Sequence, residues 1–246
     1  MRHLARRFSL AALLAGTAAA ASAADIHATF EAGPAWQTRN DFRIPGDGGT
    51  LVELPDAGPV ASFRATLTWD VTERQSVRLL AAPFRIDQTF TPTEEPVAFQ
   101  DLVYPAGRPF DSSFRFDSYR ATWYWRFAPR GKWSFRLGAT LKVRSAEIGL
   151  TGDPGESVKD DLGVVPLLYV YARYQATDRL ALELEADALA APQGRAEDVS
   201  LKGVYRLSDR VELDLGYRLL EGGADNDEVY TFSFFHYAVA GVRVRL

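Results

Sequence analysis

The chain offers few side chains whose types and spacing would suit catalysis. Among its three histidines, His236 is the one that follows a run of acids, Asp225, Asp227 and Glu228. An acid beside a histidine can activate water, which is the chemistry of a hydrolase. The alternation of apolar residues, however, places His236 on the same strand face as Phe234. This placement favours an interfacial anchor over a catalytic base, so we predict no catalytic residue.

The same acidic run, Asp225, Asp227 and Glu228, is also the best candidate for a surface cation site, because clustered carboxylates suit divalent cations. Its spacing differs from that of the EF-hand loop, and a solvated loop is the plainer interpretation. The chain has no cysteine, which excludes thiolate metal sites and disulfides. It also has no Walker or dinucleotide-binding motif. We therefore predict no resident metal and no cofactor.

The elements that carry these residues alternate between apolar and polar positions along the chain, as strands with two different faces do. In residues 210–219, for example, Val211, Leu213 and Leu215 share one face and Asp214 lies on the other. The pattern predicts about ten strands, with eight or twelve as alternatives. They lie near 26–42, 60–71, 75–90, 113–128, 132–149, 163–176, 179–191, 197–207, 210–221 and 230–246.

One of these strands breaks its own pattern. Its apolar positions run Val77, Leu79 and Ala81, and then shift to Phe84 and Ile86. A β-bulge inserts one residue and moves the following side chains to the other face. Bulges also tolerate proline. The sequence therefore predicts a bulge beside the proline at position 83.

The links between the predicted strands alternate in length. Short turns occupy 71–74, 129–132, 176–179 and 207–210, and three of them share a Thr/Ser-acid-Arg sequence. Longer links lie at 43–59, 91–112, 150–162, 192–196 and 222–229. We assign an excess of acids to these links and their borders, among them Asp160, Asp161 and Asp198. Short turns at one end and long loops at the other are typical of outer-membrane barrels. An even strand number would leave both termini at the periplasmic end.

The polar faces of the strands carry a charge pattern that predicts a lumen. In the last five strands acids and bases alternate from strand to strand, which favours cross-strand pairing. We predict that this lumen charge network consists of Arg173, Glu183, Glu185, Asp187, Lys202, Arg206, Glu212, Asp214, Arg218, Arg243 and Arg245. The other half has few acids nearby and forms a basic lumen face, made of Arg78, Arg120, Arg126, Arg136, Lys142 and Arg144.

This charge pattern has two interpretations. The acids of one strand, Glu183, Glu185 and Asp187, are expected to pair with Arg173, Lys202 and Arg206 on the strands beside it. Such pairs would fill a narrow barrel as a plug. The unpaired basic face would instead allow an anion-selective path or a site for an acidic ligand.

The N-terminal segment is expected to be a signal peptide. Arg2, Arg6 and Arg7 precede an apolar run, and Ala21-Ser22-Ala23 provides a small-x-small cleavage site, which together are typical of secretory signals. We therefore predict a signal peptide at 1–23 and a single barrel domain at 24–246. No later apolar run is long enough for a transmembrane helix.

With its export signal, ten alternating strands and last strand from Tyr237 to Leu246, the chain resembles the small bacterial outer-membrane barrels, OmpA/OmpX-like or omptin-like in architecture. The resemblance implies an all-β, transmembrane, antiparallel up-and-down barrel in contact with outer-membrane lipid and lipopolysaccharide. It also implies that the barrel assembly machinery reads the C-terminal strand. The family usually ends on an aromatic residue, whereas this chain ends on Leu246.

The function expected from these observations is that of a non-enzymatic integral barrel, either structural or for surface interaction, with a largely plugged lumen or a narrow pore. The alternative is a hydrolase acting at the cell surface, an omptin-like protease or a lipid-modifying enzyme. The net charge of −4 and the outer-membrane address disfavour nucleic acid as a partner. Divalent cations at the outer loops remain a candidate partner.

Overall fold

The computed structural model describes residues 25–191 and 194–246. The predicted signal peptide lies outside the described residues. Within the described residues every regular element is a strand. This part of the chain therefore contains no long apolar helix that could cross a bilayer.

Fourteen strands make up the regular structure of these residues, and twelve of them belong to one antiparallel sheet. They are β1 (Ile26–Arg43), β2 (Val52–Glu53), β3 (Ala57–Asp70), β4 (Gln75–Ala82), β5 (Arg85–Phe90), β6 (Val97–Phe99), β7 (Leu102–Tyr104), β8 (Phe110–Arg126), β9 (Trp133–Gly152), β10 (Gly155–Gln175), β11 (Leu180–Ala191), β12 (Gly194–Arg206), β13 (Val211–Asp225) and β14 (Tyr230–Arg245). The sheet closes because β14 pairs with β1.

The wall of the barrel has ten strands, as the alternation predicted. Neighbours in the wall are neighbours in the chain, and β4 and β5 together form one interrupted wall strand against β8. The remaining elements are short: β2 pairs with β1, and β6 and β7 form a separate hairpin. An all-β, antiparallel up-and-down barrel is thereby confirmed.

The short turns share one construction at the end of the barrel that we call the turn end. Thr72, Thr177 and Ser208 each accept hydrogen bonds at Oγ from the backbone N–H groups two and three residues later, at 2.9–3.3 Å. A short hydroxyl side chain that bonds its own backbone favours a tight turn. The repeated Thr/Ser-acid-Arg sequence therefore encodes the same turn three times.

The opposite end, which we call the arm end, differs from the sequence prediction. The segment 150–162, predicted as a polar loop, continues β9 and β10 as a hairpin that reaches Gly152 and Gly155. The segments 194–196 and 222–225 likewise pair as strands. The polar residues of these segments predicted loops, but they lie on strands that extend beyond the membrane-facing part of the wall.

The apolar face of the wall changes sides between the two ends. In the turn half of β8, Arg120 points inward and is buried, while Trp123 points outward and is 48% exposed. In the arm half of the same strand, Phe114 is buried inside and Arg115 lies outside, bonded to Glu147 of β9 at 2.8 Å. The turn half thus has a polar interior and an apolar exterior, and the arm half has the reverse.

This reversal explains the pattern break near Pro83, and the predicted bulge is wrong. Ala82 faces Ser118 and Arg85 faces Arg115, so no residue is inserted relative to β8. Phe84 and Ile86 keep the inward direction that Arg78 has in the same wall strand. What changes at this point is the chemistry of the two environments, because the strand leaves the exposed apolar band here.

The exposed apolar band has the height of a bilayer core. On β9 it runs from Trp133 through Leu137 and Leu141 to about Val143. At about 3.3 Å per residue and a tilt of roughly 40°, this stretch rises about 25 Å, the height of the lipid-facing band of outer-membrane barrels. Trp69, Trp123 and Trp133, each between 45% and 48% exposed, supply the aromatic residues that favour a membrane interface.

The arm half encloses an apolar core. Phe84 packs edge-on against Phe235 with ring centroids 4.9 Å apart, and Phe114 lies 5.6 Å from the same ring. The β6–β7 hairpin covers this core through Phe99, whose ring lies 5.7 Å from Phe42. The arm half is therefore packed like a small water-soluble barrel on top of a membrane barrel.

Candidate functional site

The interior of the barrel has three levels that differ in chemistry. A polar vestibule of about 550 Å³ occupies the turn half and is lined by residues such as His27, Asp70 and Arg126. A layer of buried charged side chains lies in the middle of the barrel. Above it the apolar core of the arm half contains a second cavity of about 480 Å³. We call these levels the vestibule, the plug and the chamber.

Asp198 is at the centre of the plug. It is buried on β12 and accepts hydrogen bonds from guanidinium groups of three other strands: Arg120 and Arg218 at 2.6 Å and Arg64 at 2.8 Å. The sequence analysis assigned Asp198 to a long acidic link, and that assignment is wrong. Every second residue of a strand lies on the same face, so Asp198 shares the inward face of β12 with the buried Ser200 and Lys202. The alternation of the sequence could therefore have predicted its inward position.

Glu31 joins the last strands of the barrel to the first. Its carboxylate accepts hydrogen bonds from Lys202 and from Arg218, the latter at 3.0 Å. Asp214 lies 3.7 Å from the same ammonium group of Lys202. The sequence prediction that Lys202 pairs with the acids of β11 is therefore wrong. Its partners lie on β1 and β13 instead.

The acids of β11 reach across the lumen. Arg78 of β4 donates to Glu185 at 2.6 Å and to Asp187 at 2.8 Å. Asp187 also accepts hydrogen bonds from Arg120 at 2.9 Å and Thr140 at 2.6 Å. The basic face was predicted to have few acids nearby, and this is wrong for four of its members, Arg78, Arg120, Arg126 and Arg144. The lumen is narrow enough for long side chains to meet partners from the opposite wall.

A second layer of ion pairs lies nearer the turn end. Glu183 and Glu212 each accept hydrogen bonds from both Arg173 and Arg243, at 2.7–3.2 Å. Arg206 approaches Glu212 only to 4.0 Å. Arg245 binds Asp25 at 2.7 Å near the rim. The charge network predicted from the last five strands is therefore continuous on this side of the lumen, with Arg206 and Arg245 at its margin.

The remaining members of the basic face have different surroundings. Arg136 stacks over the rings of Tyr171 and Tyr124 at 4.1 and 5.3 Å, which stabilises a cation without a carboxylate. Arg126 pairs with Asp70 of the vestibule. Arg144 pairs with Asp161 of the arm, and Lys142 lies 4.6 Å from the centre of the Phe116 ring. The basic face is therefore divided among all three levels.

The structure describes two histidines, His27 and His236. Neither lies in a cleft beside a nucleophile that it could activate. His236 points outward, where its ring nitrogens contact the hydroxyl groups of Tyr217 and of Thr38, the second at 2.9 Å. It shares this face with Phe234, 4.6 Å away between ring centroids. His27 lies 3.6 Å from Asp70 in the vestibule. The position of His236 agrees with an interfacial anchor.

The acidic turn at 225–228 does not gather its carboxylates. The amide side chain of Asn226 accepts hydrogen bonds from the N–H groups of residues 228 and 229, both at 3.0 Å, which shapes the turn. Glu228 instead approaches Lys159 to 3.9 Å. Across residues 25–191 and 194–246 no three His, Asp or Glu side chains are grouped to hold a metal ion. The geometry therefore gives no support to the predicted cation site at Asp225, Asp227 and Glu228.

No protein-family profile matches the chain. No curated protein sequence matches it at a significant level either.

Solved structures do resemble it in fold. The outer membrane protease OmpT from Escherichia coli aligns with a TM-score of 0.55 at 10% identity, over 90% of this chain and 97% of OmpT. Ail, the attachment invasion locus protein of Yersinia pestis, aligns at 0.41 with 10% identity, over 88% and 97% of the two chains. Neisserial surface protein A aligns at 0.37 with 14% identity, over 90% and 97%. The chain has the fold of the small outer-membrane β-barrels.

Proposed function

We propose that this protein is a non-conducting, non-enzymatic barrel of the outer membrane whose arm half interacts with molecules at the cell surface. The observation that carries the proposal is the plug. Its central acids Glu31, Asp187 and Asp198 are buried, and each is bonded to bases from other strands across the lumen. The barrel is therefore filled where a pore would have to pass.

The energetics of the plug favour permanent closure. Separating one partner from a buried, hydrogen-bonded ion pair costs about 3–5 kcal/mol. Several such pairs share partners here, because Asp198 alone binds three arginines, so water could not open a path by displacing a single side chain. Above the plug, the aromatic core around Phe84 and Phe235 adds a second, apolar obstacle.

The proposed orientation follows from the two ends. The wall reaches furthest beyond the apolar band at the arm end, whereas the turn end closes in tight turns. Outer-membrane barrels carry short turns in the periplasm and long loops outside. We place the arm half outside and both termini in the periplasm, with 1–23 as the export signal. The outer leaflet, with its lipopolysaccharide, then surrounds the base of the arms, and the assembly machinery would read β14.

A surface hydrolase is the less favoured candidate. A catalytic site needs a base within hydrogen-bonding reach of the proton that it removes, in a place where substrate fits. His236 faces outward among aromatic side chains, and His27 faces the vestibule at the other end. Similarity of fold to a protease does not transfer a catalytic site. The surroundings of both histidines therefore do not favour a hydrolase.

Single-channel recording tests the proposal. The purified protein, reconstituted into planar bilayers, is expected to produce no stepwise current at either polarity. A general diffusion porin prepared in the same way is the positive control, and flotation of the protein with lipid vesicles verifies insertion. Regular unitary steps from the inserted protein would overturn the plug and replace it with a pore.

A further inference from the structure

The barrel wall has a lateral gap in its arm half. Strands β10 and β11 pair only from Leu168–Ala188 to Gln175–Ala181. Beyond that point β10 continues as residues 155–167, where its only strand partner is β9, on its other side. Strand β11 continues to Ala191 and pairs there with β12. Pro166, the second residue past the last pair, has no backbone N–H to donate across the gap. The wall is therefore open between these two strands.

The gap begins where the apolar exterior is still present. Leu162 and Val164 on the outward face of β10 are 73% and 62% exposed, and Leu168 at the last pair is also exposed. Side chains of this kind favour contact with lipid. In the orientation proposed above, the opening lies at the level of the outer leaflet, so a lipid-soluble molecule could reach it from the membrane.

Behind the gap lies the chamber. Its cavity of about 480 Å³ is bordered by both edges of the gap and by apolar side chains of the arm core, namely Phe116, Ile148, Val165, Leu189, Leu220 and Phe235. Cavities of roughly 300–1,000 Å³ with mostly apolar walls hold small ligands. The volume suits one hydrocarbon chain better than a lipid with several chains.

The floor of the chamber carries a lysine side chain that has no ion-pair partner among the described residues. Lys142 is buried on β9 directly opposite Val165 and borders the chamber. Among the described residues Lys142 forms no ion pair, and the neighbour of its ammonium group is the Phe116 ring, 4.6 Å away at its centre. A buried charge without a partner is costly. Arg144, two residues further along the same face, pairs with Asp161 through one nitrogen but leaves its buried Nε–H without an acceptor.

From this arrangement we infer that the chamber binds a long-chain fatty acid that enters sideways from the outer leaflet through the β10–β11 gap. The carboxylate accepts hydrogen bonds from the Lys142 ammonium and the Arg144 Nε–H. The hydrocarbon chain lies among the apolar walls. The inference rests on the proposed orientation for the side of entry, whereas the binding site itself depends only on the chamber.

Fluorescence titration with parinaric acid, a long-chain carboxylic acid, tests the site. Delipidated folded protein in a zwitterionic detergent is titrated with the acid and, separately, with the matching long-chain alcohol, and empty micelles provide the blank. We expect saturable binding of the acid, at about one molecule per chain, and weaker binding of the alcohol. Lys142→Met keeps the length of the side chain and removes its charge. It should weaken acid binding by roughly tenfold or more and leave alcohol binding nearly unchanged.

Two further variants complete the design. Ala146→Trp fills the chamber from the same strand and should abolish binding of both the acid and the alcohol. Lys132→Met removes a lysine from the opposite end, where it donates to the Ala176 carbonyl, and should bind like the unaltered protein. Circular dichroism confirms that each variant is folded. The inference is overturned if the unaltered protein shows no saturable binding, or if Lys142→Met binds the acid as tightly.

A photoreactive fatty acid in lipid vesicles tests the route. Crosslinks are expected to concentrate on the chamber walls near 142–148, 189–191 and 194–196. Labelling spread evenly over the lipid-facing band would contradict the chamber. These outcomes are independent of channel recording, because a conducting barrel would refute the plug without affecting fatty acid binding, and a silent barrel that binds no fatty acid would refute only this inference.

Discussion

Asp198 shows how a single residue can hold several strands of this barrel together. Its two carboxylate oxygens bind arginines from β3, β8 and β13. Hydrogen bonds between charged groups are roughly twice as strong as those between neutral groups. Each arginine has a second acid nearby, Asp187 for Arg120 and Glu31 for Arg64 and Arg218, but three buried guanidinium groups need more negative charge than those two acids supply. The residue therefore stabilises the closed lumen and fixes which strands face each other across it.

Replacing Asp198 with asparagine should destabilise the protein by about 3–5 kcal/mol, since three buried arginines then share too little negative charge. The matched control is Glu197→Gln, which neutralises the adjacent acid on the outward face and should cost less than about 1 kcal/mol. The measurement is the free energy of unfolding by denaturant in lipid vesicles. Equal costs for the two variants would mean that Asp198 is not at the centre of the plug.

At the scale of elements, a wall strand that runs from the turn half into the arm half crosses two environments. The interrupted wall strand made of β4 and β5 shows it most simply, because its register with β8 stays constant while its inner face changes from Arg78 to Phe84 and Ile86. A strand has only two faces, and both keep their direction along its length. The environment, and not a bulge, therefore dictates which face is apolar at each level.

This view predicts opposite outcomes for the same change at two levels of one wall strand. Leu79→Arg places a charge in the exposed apolar band and should cost about 2–4 kcal/mol if the residue lies near the bilayer midplane. Thr89→Arg lies on the same outward face above the band, next to Asp111, which Thr89 already contacts at 2.7 Å. It should be nearly neutral. Unfolding in vesicles compares the two, and a Thr89→Arg variant that is the more damaged would contradict the change of environment.

On the scale of the whole molecule, the barrel joins a membrane-spanning half to an arm half with its own apolar core. The plug separates the vestibule at the turn end from the chamber at the arm end, so in the proposed orientation the two cavities lie on different sides of the membrane. The lateral gap lies between β10 and β11 in the arm half, and we propose that it opens the chamber to the lipid. This arrangement is the basis for our proposal that the protein binds a molecule from the surface or the outer leaflet and does not conduct along the barrel axis.

The proposed orientation is tested by labelling intact Gram-negative cells that carry an epitope tag in one of two turns. A tag beside Asp153, whose side chain is 62% exposed at the tip of the β9–β10 hairpin, should bind antibody on intact cells. A tag beside Asp209, in the 207–210 turn, should bind antibody only after the outer membrane is permeabilised. The reverse pattern would invert the orientation and move the chamber to the periplasmic side.

The sequence by itself determined the wall strands up to the arm end and the tight turns, and so predicted the barrel. These are local properties, because alternation reports two faces of a strand and a Thr/Ser-acid-Arg segment bonds its own backbone. The prediction of about ten wall strands and the outward face of His236 followed from the same periodicity. The signal peptide at 1–23 lies outside the described residues and stays a prediction.

The tertiary structure decided the partners of the charges, the meaning of the break at Pro83 and the existence of the chamber. Sequence order brings β11 next to β10 and β12, and so favoured pairs between neighbours such as Glu185 and Lys202. Closure of the barrel instead brings Arg78 across the lumen to Glu185, at 2.6 Å. Long arginine side chains meet whichever acid the diameter and stagger of the barrel place within reach. Those are properties of the closed sheet and not of any one strand, which is why the sequence pattern indicated the charges but not their partners.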